Sequence, residues 1–222
     1  MKKFKILTII LFLCLVCLTT LKTDSYQEFS GNYTYQAIGD ENTLNKFRYD
    51  EEVLFIVDFS GSMNSKMGFT PKIYLAIDAI KDILEKSGKE TRVGLRIFGV
   101  PDRNALVQTS RGIMVDKSVI CSASQLVLPI SRYNADSLAD SLSNINPQGG
   151  TPIGYSLRQA VKYDFNEGLH TKHIILVTDG GENCGDNPCQ FIKNLMQSRD
   201  DFKIDVIGIT VDRNAYSQLN CI

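Results

Sequence analysis

Three oxygen-bearing side chains stand at alternate positions directly after an apolar run. The run from Val53 to Val57 is followed by Asp58, Ser60 and Ser62. An apolar run that stops at a polar residue predicts a buried strand of a parallel sheet. Carboxylate and hydroxyl oxygens suit Mg²⁺, Ca²⁺ or Mn²⁺ as ligands and suit zinc poorly. The pattern alone also fits a strand that ends in an ordinary turn, because Asp and Ser are common turn residues.

Two later segments carry polar residues of the same kind. Thr151 follows Gly149-Gly150 at the predicted start of a helix, and Asp179 follows a predicted strand. In an open sheet of parallel strands, ligands bind beyond the carboxyl ends of the strands. We therefore expect the loops that carry Asp58, Thr151 and Asp179 to meet at one edge of the sheet.

The elements that must position these loops alternate along the chain from Glu51 onward. The predicted strands are 53–57, 92–98, 126–130, 173–178 and 204–211, and amphipathic helices begin near residues 70, 135, 152 and 187. Strands that alternate with helices predict an α/β fold with a doubly wound, mostly parallel central sheet. The long polar segment 99–125 is a candidate for a small hairpin between two of these strands.

The N-terminal part of the chain has a different character. Three lysines lie among the first five residues, and residues 6–18 are almost wholly apolar. This pattern predicts a secretory signal peptide over residues 1–23, with an uncleaved anchor as the alternative. Residues 24–50 are interpreted as a linker or N-terminal extension, with a loosely attached N-terminal strand as the alternative, and residues 51–222 as the folded domain. We expect an exported protein: periplasmic, cell-surface or extracellular.

Four cysteines lie outside the signal segment: Cys121, Cys184, Cys189 and Cys221. An even number in an exported domain predicts disulfides, with three possible connectivities. A zinc site at Cys184 and Cys189 is the alternative, although these two lack the usual cluster of partner ligands.

Several functional classes find no support in the sequence. The formal net charge is −1 and no basic cluster is present, so we expect no nucleic-acid partner. Ser60 is not in a Gly-x-Ser-x-Gly motif, and no phosphate-binding glycine loop appears. His170 and His173 are predicted at the opposite end of a strand from the candidate site, as surface or turn residues. We therefore expect no enzymatic activity.

The three motifs, in this order, resemble the von Willebrand factor type A domain with its metal-ion-dependent adhesion site. The family pattern is Asp-x-Ser-x-Ser, a distal Thr, and a distal Thr-Asp-Gly, here 58–62, Thr151 and 178–180. The chain is similar in particular to exported bacterial domains that contain Gly-Gly-Thr-Pro-Ile and Thr-Asp-Gly-x-Glu-Asn-Cys. The resemblance covers residues from about 51 to the end and implies the family's Rossmann-like fold.

The resemblance also implies a role for each site residue. Ser60 and Ser62 would bind the ion directly, and Thr151 directly or through water. Asp58 and Asp179 would act through bridging waters. The implied cofactor is Mg²⁺, with Ca²⁺ or Mn²⁺ as alternatives. Neutral ligands leave the charge of the ion largely uncompensated, so the site would attract a carboxylate from outside.

The function implied is a protein-binding or adhesion module whose partner is a protein or cell-surface ligand that offers Asp or Glu. A membrane would be involved only through an uncleaved signal anchor. The alternatives are a structural, metal-stabilised scaffold domain within an envelope complex, and a metal-dependent hydrolase.

The family frame further suggests how the cysteines pair and how the chain ends. It favours Cys121 with Cys184 and Cys189 with Cys221, against a local Cys184–Cys189 bridge. Related bacterial domains continue beyond the segment matching 219–222 into a helix and a last edge strand. We therefore expect either a truncated sequence or a fold without these two elements, with the fifth strand as an uncovered edge.

Overall fold

The computed structural model describes residues 26–28, 34–38, 51–101, 106–109, 112–166, 168 and 170–222. The predicted signal segment 1–23 lies outside these residues, and so does most of the segment 24–50. In the part of the chain that is described, no helix is long and apolar enough to cross a membrane.

The described strands and helices follow one another in an α/β order, with a short 3₁₀ helix at Gly61–Asn64. The strands are β1 (Tyr26–Glu28), β2 (Thr34–Ile38), β3 (Glu51–Asp58), β4 (Lys66–Met67), β5 (Thr70–Pro71), β6 (Arg92–Phe98), β7 (Leu106–Thr109), β8 (Gly112–Val115), β9 (Ser124–Ser131), β10 (Thr171–Thr178) and β11 (Phe202–Gly208). The helices are α1 (Lys72–Ser87), α2 (Lys117–Cys121), α3 (Ala135–Leu142), α4 (Ile153–Tyr163), α5 (Pro188–Ser198) and α6 (Arg213–Leu219).

Seven of the described strands form the main sheet, in the order β1-β2-β11-β10-β3-β6-β9. The four central strands β11, β10, β3 and β6 are mutually parallel, and the outer strands pair antiparallel. β3 therefore lies inside the sheet, and its carboxyl end is flanked by those of β10 and β6. This confirms the predicted doubly wound α/β fold.

The alternating side chains of β3 contribute to two separate cores. Val53, Phe55 and Val57 pack with apolar residues of α1 and α3. Leu54 and Ile56 pack with apolar residues of α4 and α5. Because all five side chains are fully buried, β3 is fixed on both faces, which gives the polar residues after it a rigid support.

The segment between β6 and β9 contains the hairpin that the sequence suggested. Its strands are β7 and β8, with Leu106 opposite Val115. The helix predicted near residue 70 begins instead at Lys72, because Thr70 and Pro71 pair with the preceding residues Met67 and Lys66.

Two expectations are wrong. The fifth predicted strand, β11, is not an uncovered edge, because β2 pairs with it antiparallel and brings Ala37 opposite Ile207. His173 is not a surface or turn residue: it is fully buried, and its Nε2 lies 2.7 Å from Asp205 Oδ2. Both His170 and His173 do lie at the amino end of β10, away from Thr178 at its carboxyl end.

Candidate metal centre

Asp58 is the last residue of β3 and is completely buried. The backbone N–H of Ser60 donates to its Oδ1 at 2.7 Å, and the hydroxyl of Thr178 donates to its Oδ2 at 2.5 Å. Burial raises the pKa of the Asp58 carboxyl to about 6, against the opposing effect of these hydrogen bonds. Asp58 thus joins the ends of β3 and β10, and its negative charge is incompletely compensated by these neighbours.

Ser60 and Ser62 place two hydroxyl oxygens side by side. Their Oγ atoms lie 3.0 Å apart, because the 3₁₀ turn brings Ser62 back towards Ser60. Ser60 is buried, whereas Ser62 is exposed. The hydroxyl of Ser62 donates to Asp179 Oδ1 at 2.7 Å. Because the proton of Ser62 goes to Asp179, the hydroxyl of Ser60 donates to Ser62 Oγ, and one lone pair of Ser62 Oγ remains for an ion.

This spacing fits a divalent ion. Adjacent ligands of an octahedral Mg²⁺ at about 2.1 Å lie about 3 Å from each other. The Oγ–Oγ distance of 3.0 Å matches that edge. No group of three His, Cys, Asp or Glu side chains suited to a metal occurs within the described ranges. The donor set is instead the mixed hydroxyl and carboxylate oxygens that hard cations prefer.

Backbone hydrogen bonds join the loop that carries Thr151 to the loop that carries Ser60 and Ser62. Gly61 N donates to Gly149 O at 3.0 Å, and Gln148 N donates to Phe59 O at 2.9 Å. Gly149 N in turn donates to Gly99 O at 2.6 Å. Gly99 has a φ of +84°, and a Cβ there would lie 2.4 Å from Ser60 N. A glycine is therefore required where the two loops meet.

Thr151 is positioned by Asn183, a residue to which the sequence analysis gave no separate role. Thr151 N donates to Asn183 Oδ1 at 2.8 Å, and Asn183 Nδ2 donates to Thr151 Oγ1 at 3.2 Å. Thr151 is buried, and its Oγ1 keeps one lone pair free for an ion. Asn183 lies within the Thr-Asp-Gly-x-Glu-Asn-Cys motif, which was the signal available in the sequence.

The carboxylate of Asp179 accepts hydrogen bonds from two side chains, one a hydroxyl and the other an ammonium. Besides Ser62, the ammonium of Lys72 donates to its Oδ2 at 2.9 Å. The side chain of Asp179 is fully buried and that of Lys72 is 18% exposed. Nothing in the sequence pattern indicated Lys72, because the contact joins residues 107 positions apart.

The five residues predicted for the site are thus connected in two ways. Direct side-chain hydrogen bonds join Ser60 to Ser62 and Ser62 to Asp179, and Asp58 accepts from the Ser60 backbone. Thr151 is linked to them through its loop, at the bridge between Ser60 and Gly149.

The four cysteines form the two disulfides Cys121–Cys184 and Cys189–Cys221, with Cα–Cα distances of 5.4 and 5.5 Å. This is the pairing that the family frame favoured, and it uses the sulfur atoms that a zinc site would need.

The Cys121–Cys184 disulfide packs against the Thr151 loop, because a Cβ on Gly150 would lie 3.6 Å from Cys184 Sγ. A pocket of about 270 Å³ borders this disulfide and is also lined by Tyr155, Arg158 and Asp186.

The α/β fold and the clustered motif residues define the class of protein. The sequence model of the von Willebrand factor type A domain matches residues 52–222. The chain belongs to this family.

Among relatives, it is 32% identical to the uncharacterized protein YwmD of Bacillus subtilis (strain 168) over 164 residues, 73% of this chain and 70% of the relative. It is 30% identical to the uncharacterized protein YwmC of the same organism over 190 residues, 85% of this chain and 79% of the relative.

A solved structure with a similar fold is proximal thread matrix protein 1 from the mussel byssus, with a zinc-occupied metal-ion-dependent adhesion motif. The TM-score is 0.54 at 19% identity, and the match covers 78% of this chain and 39% of that one. This chain therefore spans less than half of that protein, and the likeness shows the fold alone.

Proposed function

We propose that this protein is a divalent-cation-dependent binding module that captures an acidic side chain of a protein or cell-surface partner outside the cytoplasm. The observation that carries the proposal is the 3.0 Å separation of Ser60 Oγ and Ser62 Oγ. The two hydroxyls are hydrogen-bonded to each other at this distance, and the same spacing would let both bind one small octahedral cation such as Mg²⁺. Ca²⁺ and Mn²⁺ are the alternative ions.

Each residue has a defined task in this proposal. Ser60, Ser62 and Thr151 offer neutral oxygens to the ion. Asp58 and Asp179 accept hydrogen bonds from the loop residues Ser60 and Ser62, which orients these serines. The bound ion supplies an open coordination position for a carboxylate from outside. The exposure of Ser62 supports access from the solvent on this side.

The surface beside the site supports an interface. Phe69 is 96% exposed at the tip of the tight β4–β5 hairpin, next to Gly68 with a φ of +62°. The hairpin is linked to the site at its base, because Ser65 N donates to Ser62 O, and the bond from Lys72 N to Ser65 O joins its two ends. A large exposed aromatic side chain on a rigid support is typical of residues that anchor protein interfaces.

The arrangement favours binding over catalysis. Both histidines lie at the other end of β10, and His173 is engaged by Asp205. Export is part of the proposal, and the two disulfides support it because such bonds persist in oxidising compartments.

Selection from a random peptide display library tests this function even though the partner is unidentified. The library is panned on the immobilised, disulfide-bonded protein in Mg²⁺ and eluted with EDTA. Eluted peptides should be enriched in Asp or Glu, and replacement of that residue by Asn or Gln should abolish binding. Panning on Ser62→Ala is the control. EDTA-eluted peptides without an essential acidic residue, or equal recovery from the control, would refute the proposal. A metal site that yields no EDTA-eluted peptides would support the scaffold alternative instead.

A further inference from the structure

Lys72 places a positive charge beside the buried carboxylate of Asp179. The family pattern of Asp, Ser and Thr residues does not include this lysine. Its Nζ lies 2.9 Å from Asp179 Oδ2, while Ser62 Oγ lies 2.7 Å from Asp179 Oδ1. One carboxylate therefore connects the ammonium to a hydroxyl that we assign to the divalent ion. We propose that Lys72 is an internal counter-ion that competes with the divalent cation for Asp179.

The burial of Asp179 explains why a counter-ion is needed. Its side chain is fully buried, and a buried carboxylate without a partner is strongly destabilising. Lys72 supplies the compensating charge within the chain itself. Because the lysine side chain is 18% exposed and has a flexible stem, its head has a short route to solvent when a second cation arrives.

The position of Lys72 on its helix points to the same role. It is the first residue of α1, where the backbone dipole places partial positive charge and favours acidic residues. The first turn of α1 contains no acidic residue. The dipole of α1 therefore disfavours a lysine at this position, and the ion pair with Asp179 offsets this unfavourable interaction.

The charge on Lys72 sets the direction of its effect on the metal. A divalent ion bound by the hydroxyl pair would be a like charge to the ammonium on the neighbouring Asp179 carboxylate, and the two cations would repel each other. Removing the ammonium would leave the full charge of Asp179 to the ion. The hydrogen bond from Ser62 to Oδ1 does not pass through Lys72, so Asp179 keeps this constraint without it.

The consequence for function rests on the proposed binding of an acidic partner. Lys72 lowers the affinity of the protein for the ion when no partner is bound. A carboxylate from the partner supplies the negative charge that Lys72 has neutralised. Metal and partner are then thermodynamically coupled, each raising the affinity for the other. Lys72 makes metal loading depend on the partner.

The test compares wild type with Lys72→Met, and uses Lys72→Arg as the control that keeps the charge. Calorimetric titration of the full, disulfide-bonded chain with Mg²⁺ should give about tenfold tighter binding in K72M, as expected from loss of a nearby like charge. K72R should remain close to wild type. Equal or weaker binding in K72M would overturn the inference alone. Binding of Mg²⁺ by neither wild type nor K72M would overturn the proposed function as well.

A second measurement detects the pair in the absence of metal. In EDTA, the Tm of K72M should fall by about 3 °C or more, because the buried carboxylate of Asp179 loses its counter-ion. Mg²⁺ should restore much of the loss. In an Asp179→Asn background the same substitution should have little effect, because no charge is left to compensate. An equal fall in Tm in both backgrounds would contradict the role of Lys72 as counter-ion to Asp179.

Discussion

The hydroxyl oxygens of Ser60 and Ser62 lie 3.0 Å apart at the carboxyl end of a strand that is buried on both faces. The spacing of the two serines in the sequence does not by itself determine where their hydroxyls lie. The 3₁₀ turn, the carboxylate of Asp179 and the backbone bridge to Gly149 together determine where they lie. The separation is therefore a property of three loops, and each loop can be altered separately.

Replacing Asn183 by Ala should weaken Mg²⁺ binding about tenfold, because Thr151 loses two of its hydrogen bonds to this side chain. Asn187→Ala is a matched control from the same loop. The Asn187 side chain accepts from Gln190 N and caps α5, so its loss should lower stability by about 1 kcal/mol and leave the affinity for Mg²⁺ unchanged. Calorimetry and urea unfolding separate the two effects. Equal Mg²⁺ affinity in N183A and wild type would remove Asn183 from the site.

The two disulfides should differ in their effect on the metal. Cys121–Cys184 adjoins Asn183 and packs against Gly150, whereas Cys189–Cys221 joins the start of α5 to the segment after α6. Both double Ser variants should lose stability, by about 2 to 4 kcal/mol each. C121S/C184S should in addition bind Mg²⁺ several-fold more weakly, and C189S/C221S should not. The same Mg²⁺ affinity in both variants would show that the first disulfide does not support the Thr151 loop.

The buried carboxyl of Asp58 predicts a pH dependence in protein treated with chelator. Its pKa rises from 3.8 to about 6 on folding. A raised pKa means that the protonated form stabilises the fold below about pH 4, and that this contribution is lost as the pH rises through 6. The total is about 3 kcal/mol, at 1.36 kcal/mol per pKa unit.

Urea unfolding in EDTA between pH 4 and 7 measures this effect as a difference from Asp58→Asn, which cannot ionise. The free energy of unfolding of wild type should fall relative to that of D58N as the pH rises. The difference isolates Asp58 from carboxyls such as Asp186, whose pKa is lowered by Arg158 and which act in the opposite direction. Parallel pH profiles for the two proteins would be inconsistent with a raised pKa at Asp58.

Phe69 should contribute to partner binding and not to metal binding. Phe69→Ser removes a side chain that is 96% exposed, so neither stability nor Mg²⁺ affinity should change appreciably. The affinity of the selected acidic peptides should fall about tenfold, the loss that accompanies removal of an aromatic anchor. Tyr163→Ser is the control: it is also exposed, but lies at the far end of α4, about 15 Å along the helix from its start near Thr151. Equal peptide affinities in F69S and Y163S would exclude the hairpin from the interface.

Much of the fold could be read from local sequence. The apolar run of β3 and the periodic apolar residues of the helices, such as the one predicted to begin near residue 187, are local patterns, and they predicted these elements correctly. The three site loops could be brought together because parallel topology places strand ends at one edge of the sheet.

What the sequence did not reveal depends on contacts between distant residues. Lys72 and Asp179 are 107 positions apart, and the buried His173 is hydrogen-bonded to Asp205, 32 positions away. The pairing of β2 with β11 was not predicted. The segment that contains β2 has weak periodicity in the sequence, and its strand conformation depends on the pairing with β11.

Titration of the disulfide-bonded protein with Mg²⁺ in a calorimeter tests the central claim most directly, with Ser60→Ala, Ser62→Ala and Ser65→Ala compared to wild type. Ser65 lies in the same loop and bonds to Ser62 and Lys72 through its backbone. The account predicts one Mg²⁺ per wild-type chain, unchanged affinity in S65A, and a loss of affinity of about tenfold or more in both S60A and S62A, since each removes one direct ligand. Wild-type affinity in S60A and S62A, or the same loss in all three variants, would contradict it.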